Sequence, residues 1–189
     1  MEVILEQVTG FATIAHGTQR RKFTDEVYIN HPVRVMNICR EYDQPVEVLV
    51  AAILHDVLED TATTPEEMFQ FLLPLLGDQA SGAALHLVIE LTDVYTKIKY
   101  PAWNRRKRLA MEAERISQAS AAAQTIKYAD IIDNSLDIHH SQDDFAAKFL
   151  LECRALLNVL TRGDNKLRQR AVETVDLCIQ KQDDLQRNS

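Results

Sequence analysis

The ten residues Ala51-Ala-Ile-Leu-His-Asp-Val-Leu-Glu-Asp60 set four polar side chains, each able to bind a metal or move a proton, into an apolar helical run. On a helix, His55 and Glu59 are four apart, Asp56 and Glu59 three, and Asp56 and Asp60 four, which gathers them at one end of one face. Burying that much charge is unfavourable unless partners neutralise it. The run therefore reads as half of a site.

The other half is found upstream and downstream. His31, in Tyr28-Ile-Asn-His-Pro32, opens one helical pattern, and Asp130, in Ile126-Lys-Tyr-Ala-Asp130, sits inside a later one. His31, His55, Asp56 and Asp130 make a set of two imidazoles and two carboxylates with no thiolate. That set suits Mn²⁺, Fe²⁺ or another first-row ion with open positions for water better than a closed structural zinc site. The order of these residues, His then His-Asp then Asp, resembles that of the HD-domain metal-dependent phosphohydrolases. A second metal would need a further pair of histidines between Asp56 and Asp130, where only His86 stands.

Composition agrees with one helical domain over residues 1–189: 46% of the residues are hydrophobic, with five Gly and five Pro. The formal net charge of −7 argues against a nucleic-acid polymer as partner, since a phosphate backbone wants a basic surface. Cys39, Cys153 and Cys178 are odd in number and widely spaced, which predicts buried free thiols in a reducing cytoplasm. No segment reaches membrane-spanning length, so no membrane contact is expected.

Apolar spacing of three and four residues predicts an all-α bundle of about nine helices, at roughly 3–18, 31–42, 45–58, 64–76, 79–92, 104–117, 120–139, 142–162 and 165–187. Thr64-Pro-Glu-Glu67 carries an N-cap, a Pro at the first helical position and a capping-box Glu. Gly77-Asp78 and Gly163-Asp164 each read as a stop followed by a new cap. The stripe Leu167, Val172, Val175 and Ile179 of the last helix predicts packing onto a core of about residues 8–160, with a homo-oligomer as the other use of it. His16 reads as a packing residue or a support for the site, His86 as partly buried, and His139-His140 as a helix end.

If the metal site forms, Glu59 and Asp60 stand beside it as catalytic carboxylates, one accepting the water's proton and the other orienting it or assisting the leaving group. Lys127, Asp130, Asn134 and Asp137 share a helix face. Lys127 is either a phosphate contact or an ion-pair partner, and Asn134 a hydrogen-bond donor to ribose or base. Two segments break the helical rhythm: the polar connector Gln19–Val27, and the aromatic and basic stretch Asp93–Arg105 leading into Arg106-Lys-Arg108. Arg105-Arg-Lys-Arg108 is either a phosphate-recruiting lid or a solvated helix face.

Six ordered motifs narrow the resemblance. Ala15-His16, Gln19-Arg-Arg-Lys22, Tyr28-Ile-Asn-His-Pro32, Leu54-His-Asp-Val-Leu-Glu-Asp-Thr61, Leu91-Thr-Asp93 and Ile126-Lys-Tyr-Ala-Asp130 follow in order the hydrolase domain of RelA/SpoT proteins and the stand-alone small alarmone hydrolases. The resemblance implies Mn²⁺-dependent removal of the 3′-pyrophosphate from a small phosphorylated nucleotide, guanosine or adenosine, in the stringent response. It implies ligands His31, His55, Asp56 and Asp130, catalytic Glu59 and Asp60, and nucleotide contacts from Arg21, Lys22 and Asn134. The chain departs from that pattern at Phe23–Val27, at Ile131 and Asp133, and in the longer Tyr95–Arg105 segment. Those departures bear on base and phosphate recognition. The other readings are an HD 5′-nucleotidase or phosphomonoesterase, and an HD module that senses a nucleotide without turning it over.

Overall fold

The computed structural model describes residues 1–138 and 144–187. Ten helical segments lie among them: α1 (Glu2–His16), α2 (Asn30–Arg40), α3 (Val46–Leu54), α4 (Val57–Asp60), α5 (Pro65–Leu76), α6 (Asp78–Leu91), α7 (Arg105–Ser117), α8 (Ala121–Ile138), α9 (Asp144–Val159) and α10 (Asn165–Arg187). The all-α expectation holds. His139 and His140 lie outside the described residues.

Helix α3 is the centre because it has almost no polar face. Val48 through Leu54 are all buried, as a helix apolar all round must be. It packs against α1, α2, α6 and α8, while α10 lies along α8 and α9. The stripe on α10 serves the core: Leu167 and Val175 are fully buried, with Val172 and Ile179 packed against them. The three cysteines are buried free thiols. Among the described residues, no helix is long and apolar enough to cross a membrane.

Local signals place the helix ends. The Thr64 hydroxyl accepts from the Glu67 N–H while the Glu67 carboxylate accepts from the Thr64 N–H, closing the capping box. Asp164 Oδ1 accepts from the Leu167 N–H and caps α10. Gly77 has φ +76 between α5 and α6, a conformation that only glycine adopts without strain.

One predicted element is two. The sequence reads 45–58 as a single helix, but it stops at Leu54 and restarts at Val57. His55 Nδ1–H donates to the Ala52 carbonyl at 2.8 Å, the acceptor that a continuing helix would offer to the Asp56 N–H. The side chain thus competes with the backbone ladder at the point where the site begins. His55 and Asp56 form the break and Glu59 and Asp60 lie in the short helix beyond it, so the four do not share one continuous face.

The connector is also more ordered than its composition suggests. Arg20 and Val27 form an antiparallel bridge, Arg21 N–H donates to Glu26 O at 2.9 Å and Tyr28 N–H to Gln19 O at 3.0 Å. This small hairpin returns the chain to the first turn of α2, where His31 lies.

Candidate metal centre

His31 comes from α2, His55 and Asp56 from the break after α3. One ligand atom from each lies within 4.8 Å of the others, the one such cluster among the described residues. Asp56 Oδ2 is 3.0 Å from His55 Nε2 and 3.6 Å from His31 Nε2. Both histidines are buried, and His55 Nε2 has no hydrogen-bond partner among the described residues.

Each ring is locked from behind. His55 Nδ1–H is spent on the Ala52 carbonyl. His31 Nδ1–H donates to Asp133 Oδ2 at 2.7 Å, and Arg34 grips Asp133 through both carboxylate oxygens. A donor hydrogen bond on Nδ1 fixes the tautomer that leaves Nε2 bare for a metal. Tyr28 OH donates to Asp56 Oδ2 at 2.6 Å, steadying the third group. Two inward-facing Nε2 atoms, that of His55 buried and unpartnered, and an oriented carboxylate fit a divalent cation.

Asp130, the fourth expected ligand, borders this cluster from α8. Its Oδ1 is 3.3 Å from His31 Nε2 and 3.8 Å from His55 Nε2. Its oxygens are occupied: Lys127 Nζ lies 2.8 Å from Oδ2 and the Asn134 amide donates to Oδ1. Lys127 is therefore the partner of a carboxylate, one of the two roles its spacing allowed.

So much charge in little volume shifts His31, His55, Asp56 and Asp130. Burial alone would push His55 down, but the Asp56 charge overrides it and raises the imidazole to about 10. Burial opposes the charge on Asp56 as well, yet the His55 charge holds it well below the usual carboxylate range. His31 is raised against burial by its bonds to Asp130 and Asp133. Protons on the imidazoles neutralise the carboxylates, and a divalent ion would do so in their place.

Glu59 and Asp60 are the two exposed residues that end α4. The Asp93 N–H donates to Glu59 Oε2 at 3.0 Å. The protein packed around Glu59, followed by the Asp93 carboxylate, raises it to about 7, although its side chain still reaches solvent. The turn carrying Asp93 is itself clamped. Glu112 accepts from the Val94 and Tyr95 N–H groups, and Arg115 binds Glu112 and the Glu90 and Thr92 carbonyls.

Two cavities meet beside the cluster at Asn134 and Phe149. One of about 400 Å³ reaches from Asp93, Lys127 and Asp130 to the apolar residues Leu109, Ile116 and Leu156. The other, about 280 Å³, is lined by Arg21, Lys22, Phe23 and Phe145. Lys22 Nζ lies 5.1 and 4.7 Å from the Phe23 and Phe145 ring centroids. Arg21 is held by Asp137 and by Asn134 Oδ1, so Asn134 links Arg21 to Asp130. Arg105, at the start of α7, pairs with Glu152 across the larger cavity. His86 lies exposed on α6 near Glu90, not partly buried as expected.

Sequence reasoning missed Asp133 and Arg34. It took Asp133 for a departure affecting base recognition, whereas this residue is buried behind His31. The signal that could have found them is opposite charge at helical positions facing a predicted ligand on a neighbouring helix.

The HD domain family matches residues 9–131. The chain is 36% identical over 113 residues to the guanosine-3′,5′-bis(diphosphate) 3′-pyrophosphohydrolase of Aquifex aeolicus, covering 58% of this chain and 15% of that protein. It is 36% identical over 131 residues to guanosine-3′,5′-bis(diphosphate) 3′-pyrophosphohydrolase MESH1 of Drosophila melanogaster, covering 68% and 65%. The chain thus spans less than two thirds of either relative. A solved metazoan ortholog of SpoT, described as hydrolysing ppGpp, superposes with a TM-score of 0.71 at 24% identity over 94% of both chains, which establishes a shared fold. The matched segment holds His31, His55, Asp56 and Asp130, and the chain belongs to the HD domain family.

Proposed function

We propose that this protein is a metal-dependent nucleotide pyrophosphohydrolase that removes the 3′-pyrophosphate from guanosine 3′,5′-bis(diphosphate) or its adenosine counterpart. One observation carries the reading: the Nε2 atoms of His31 and His55 and an Asp56 oxygen come together at the break that leads into α4, the short helix carrying Glu59 and Asp60, in a chain similar to proteins named for that reaction.

His31, His55, Asp56 and Asp130 would hold the ion, Mn²⁺ in our reading. Such an ion supplies a water of lowered pKa and neutralises charge on phosphoryl oxygens. Glu59, poised at about 7, accepts the proton of the attacking water, which suits a base working near neutrality. Asp60 orients that water or the leaving group. Lys127 keeps Asp130 ionised, and Asn134 meets substrate where the two cavities join. Arg21 and Lys22 bring positive charge to the nucleotide side, in the smaller cavity. The substrate is a free nucleotide in the cytoplasm.

Purified protein with Mn²⁺ is to be incubated with 3′- and 5′-phosphorylated guanosine and adenosine nucleotides. Release of pyrophosphate from 3′-diphosphates is expected. Phosphate released only from 5′-monophosphates would make it an HD 5′-nucleotidase instead, and saturable binding without product a sensing module.

A further inference from the structure

We propose that His16 and Gln19 are positioning residues for Asp60, forming a two-step hydrogen-bond relay from the end of α1 to the carboxylate pair. This rests on the reading in which Asp60 works beside Glu59.

Gln19 Nε2–H donates to Asp60 Oδ2 at 3.0 Å, and His16 Nδ1 lies 2.9 Å from Gln19 Oε1. The chemistry permits one arrangement. An ionised carboxylate only accepts, so the amide must turn its NH₂ to Asp60 and its oxygen to the ring, and Nδ1 must carry the hydrogen. His16 is only 7% exposed, its ring centroid lies 4.6 Å from that of Tyr28, and its Nε2 has no partner among the described residues. For packing alone, an apolar side chain would fill this place without an unpaired buried acceptor. What the imidazole adds is the Nδ1–H aimed at Gln19.

The backbone supports the same reading. Gly17, at φ +55, ends α1 and turns the chain. Gln19 N–H then donates to His16 O, and Gln19 O accepts from Tyr28 N–H, both at 3.0 Å. The amide therefore swings from a fixed base at the foot of the hairpin. Asp60 does not share that rigidity: it is the exposed last residue of the four-residue α4. A carboxylate on so short a helix samples several rotamers unless something holds it. Gln19 holds Oδ2, which leaves Oδ1 for the reaction. Misplacing a reacting group by about 1 Å can cost on the order of 10²-fold in rate.

The test is a kinetic cycle with an independent spectroscopic arm. Gln19→Leu is expected to lower kcat by about 10²-fold, with no matching rise in KM and with bound metal unchanged. In an Asp60→Asn background the same substitution should cost nothing further. His16→Asn, whose amide N–H can replace the ring Nδ1–H, should keep most of the activity that His16→Leu loses. Equal losses with and without Asp60, or His16→Asn no better than His16→Leu, overturn the relay. A wild-type protein that releases no pyrophosphate rejects the functional reading alone, because the relay has a second readout. The Gln19 side-chain amide signals, assigned by their loss in Gln19→Leu, should move in both Asp60→Asn and His16→Leu, and signals that stay in place in both variants overturn it.

Discussion

Asp133 holds His31 from behind, accepting its Nδ1–H at 2.7 Å, and Arg34 holds Asp133 in turn. Partners of this kind set ring orientation and basicity, and removing one typically costs 10- to 100-fold in metal affinity. Asp133→Leu is therefore expected to weaken Mn²⁺ binding by about that factor while leaving all the direct ligands in place. Isothermal titration decides it, and unchanged affinity would show that packing alone orients His31.

Asp56 and Asp130 should separate when each is replaced by alanine. Asp56→Ala removes the oxygen that faces both imidazoles and should abolish metal binding. Asp130→Ala additionally leaves Lys127 without its partner at 2.8 Å. The half-buried ammonium should then lower stability by about 3 kcal/mol, the low end for breaking a buried pair. Denaturant melts of the two metal-free variants provide the comparison, and equal stability would mean that Lys127 finds another partner.

Glu59→Gln keeps the shape of the side chain and an oxygen to accept from the Asp93 N–H, but it removes the base. Metal should stay bound while turnover falls by about 10²–10⁴-fold. Full activity in this variant would move the proton to Asp60.

The two imidazoles give a pH dependence with a definite sign. His55 is raised from 6.5 to about 10, and His31 is raised too. In metal-free protein their protonated forms contribute stability that is fully present below pH 6.5 and is lost as pH rises through about 10. Metal needs bare Nε2 atoms, so its affinity should rise across the same window. Titration with Mn²⁺ in buffers of different ionisation enthalpy should reveal proton release, and heats independent of the buffer would contradict it.

Much of the scaffold is legible in the sequence because its signals are local. The capping box of Thr64 and Glu67 spans four residues, and the apolar faces of α3, α8 and α10 repeat within a turn or two. The His-Asp pair is legible for the same reason, as polar residues set in an apolar run. The rest is not local. Asp133 meets Arg34 across 99 residues and Gln19 meets Asp60 across 41, distances at which periodicity carries no information. The break at His55 is hidden because Val57 and Leu58 continue the apolar pattern, while a side-chain hydrogen bond to Ala52 interrupts the ladder. Asp133 stands out in the sequence only as a departure from the family pattern; it meets His31 while its neighbour Asn134 bonds Arg21 and Asp130, because one residue along a helix turns the side chain by about 100°.

The unbroken burial of Val48–Leu54 bears on how the protein handles its metal supply. A zinc finger has no folded form without its ion. Here His55 and Asp56 hang from the end of a helix that the apolar core secures by itself. The proposed ion would then load and leave on a folded scaffold, and the metal-bound fraction would follow the free concentration of the ion rather than the history of the chain's folding.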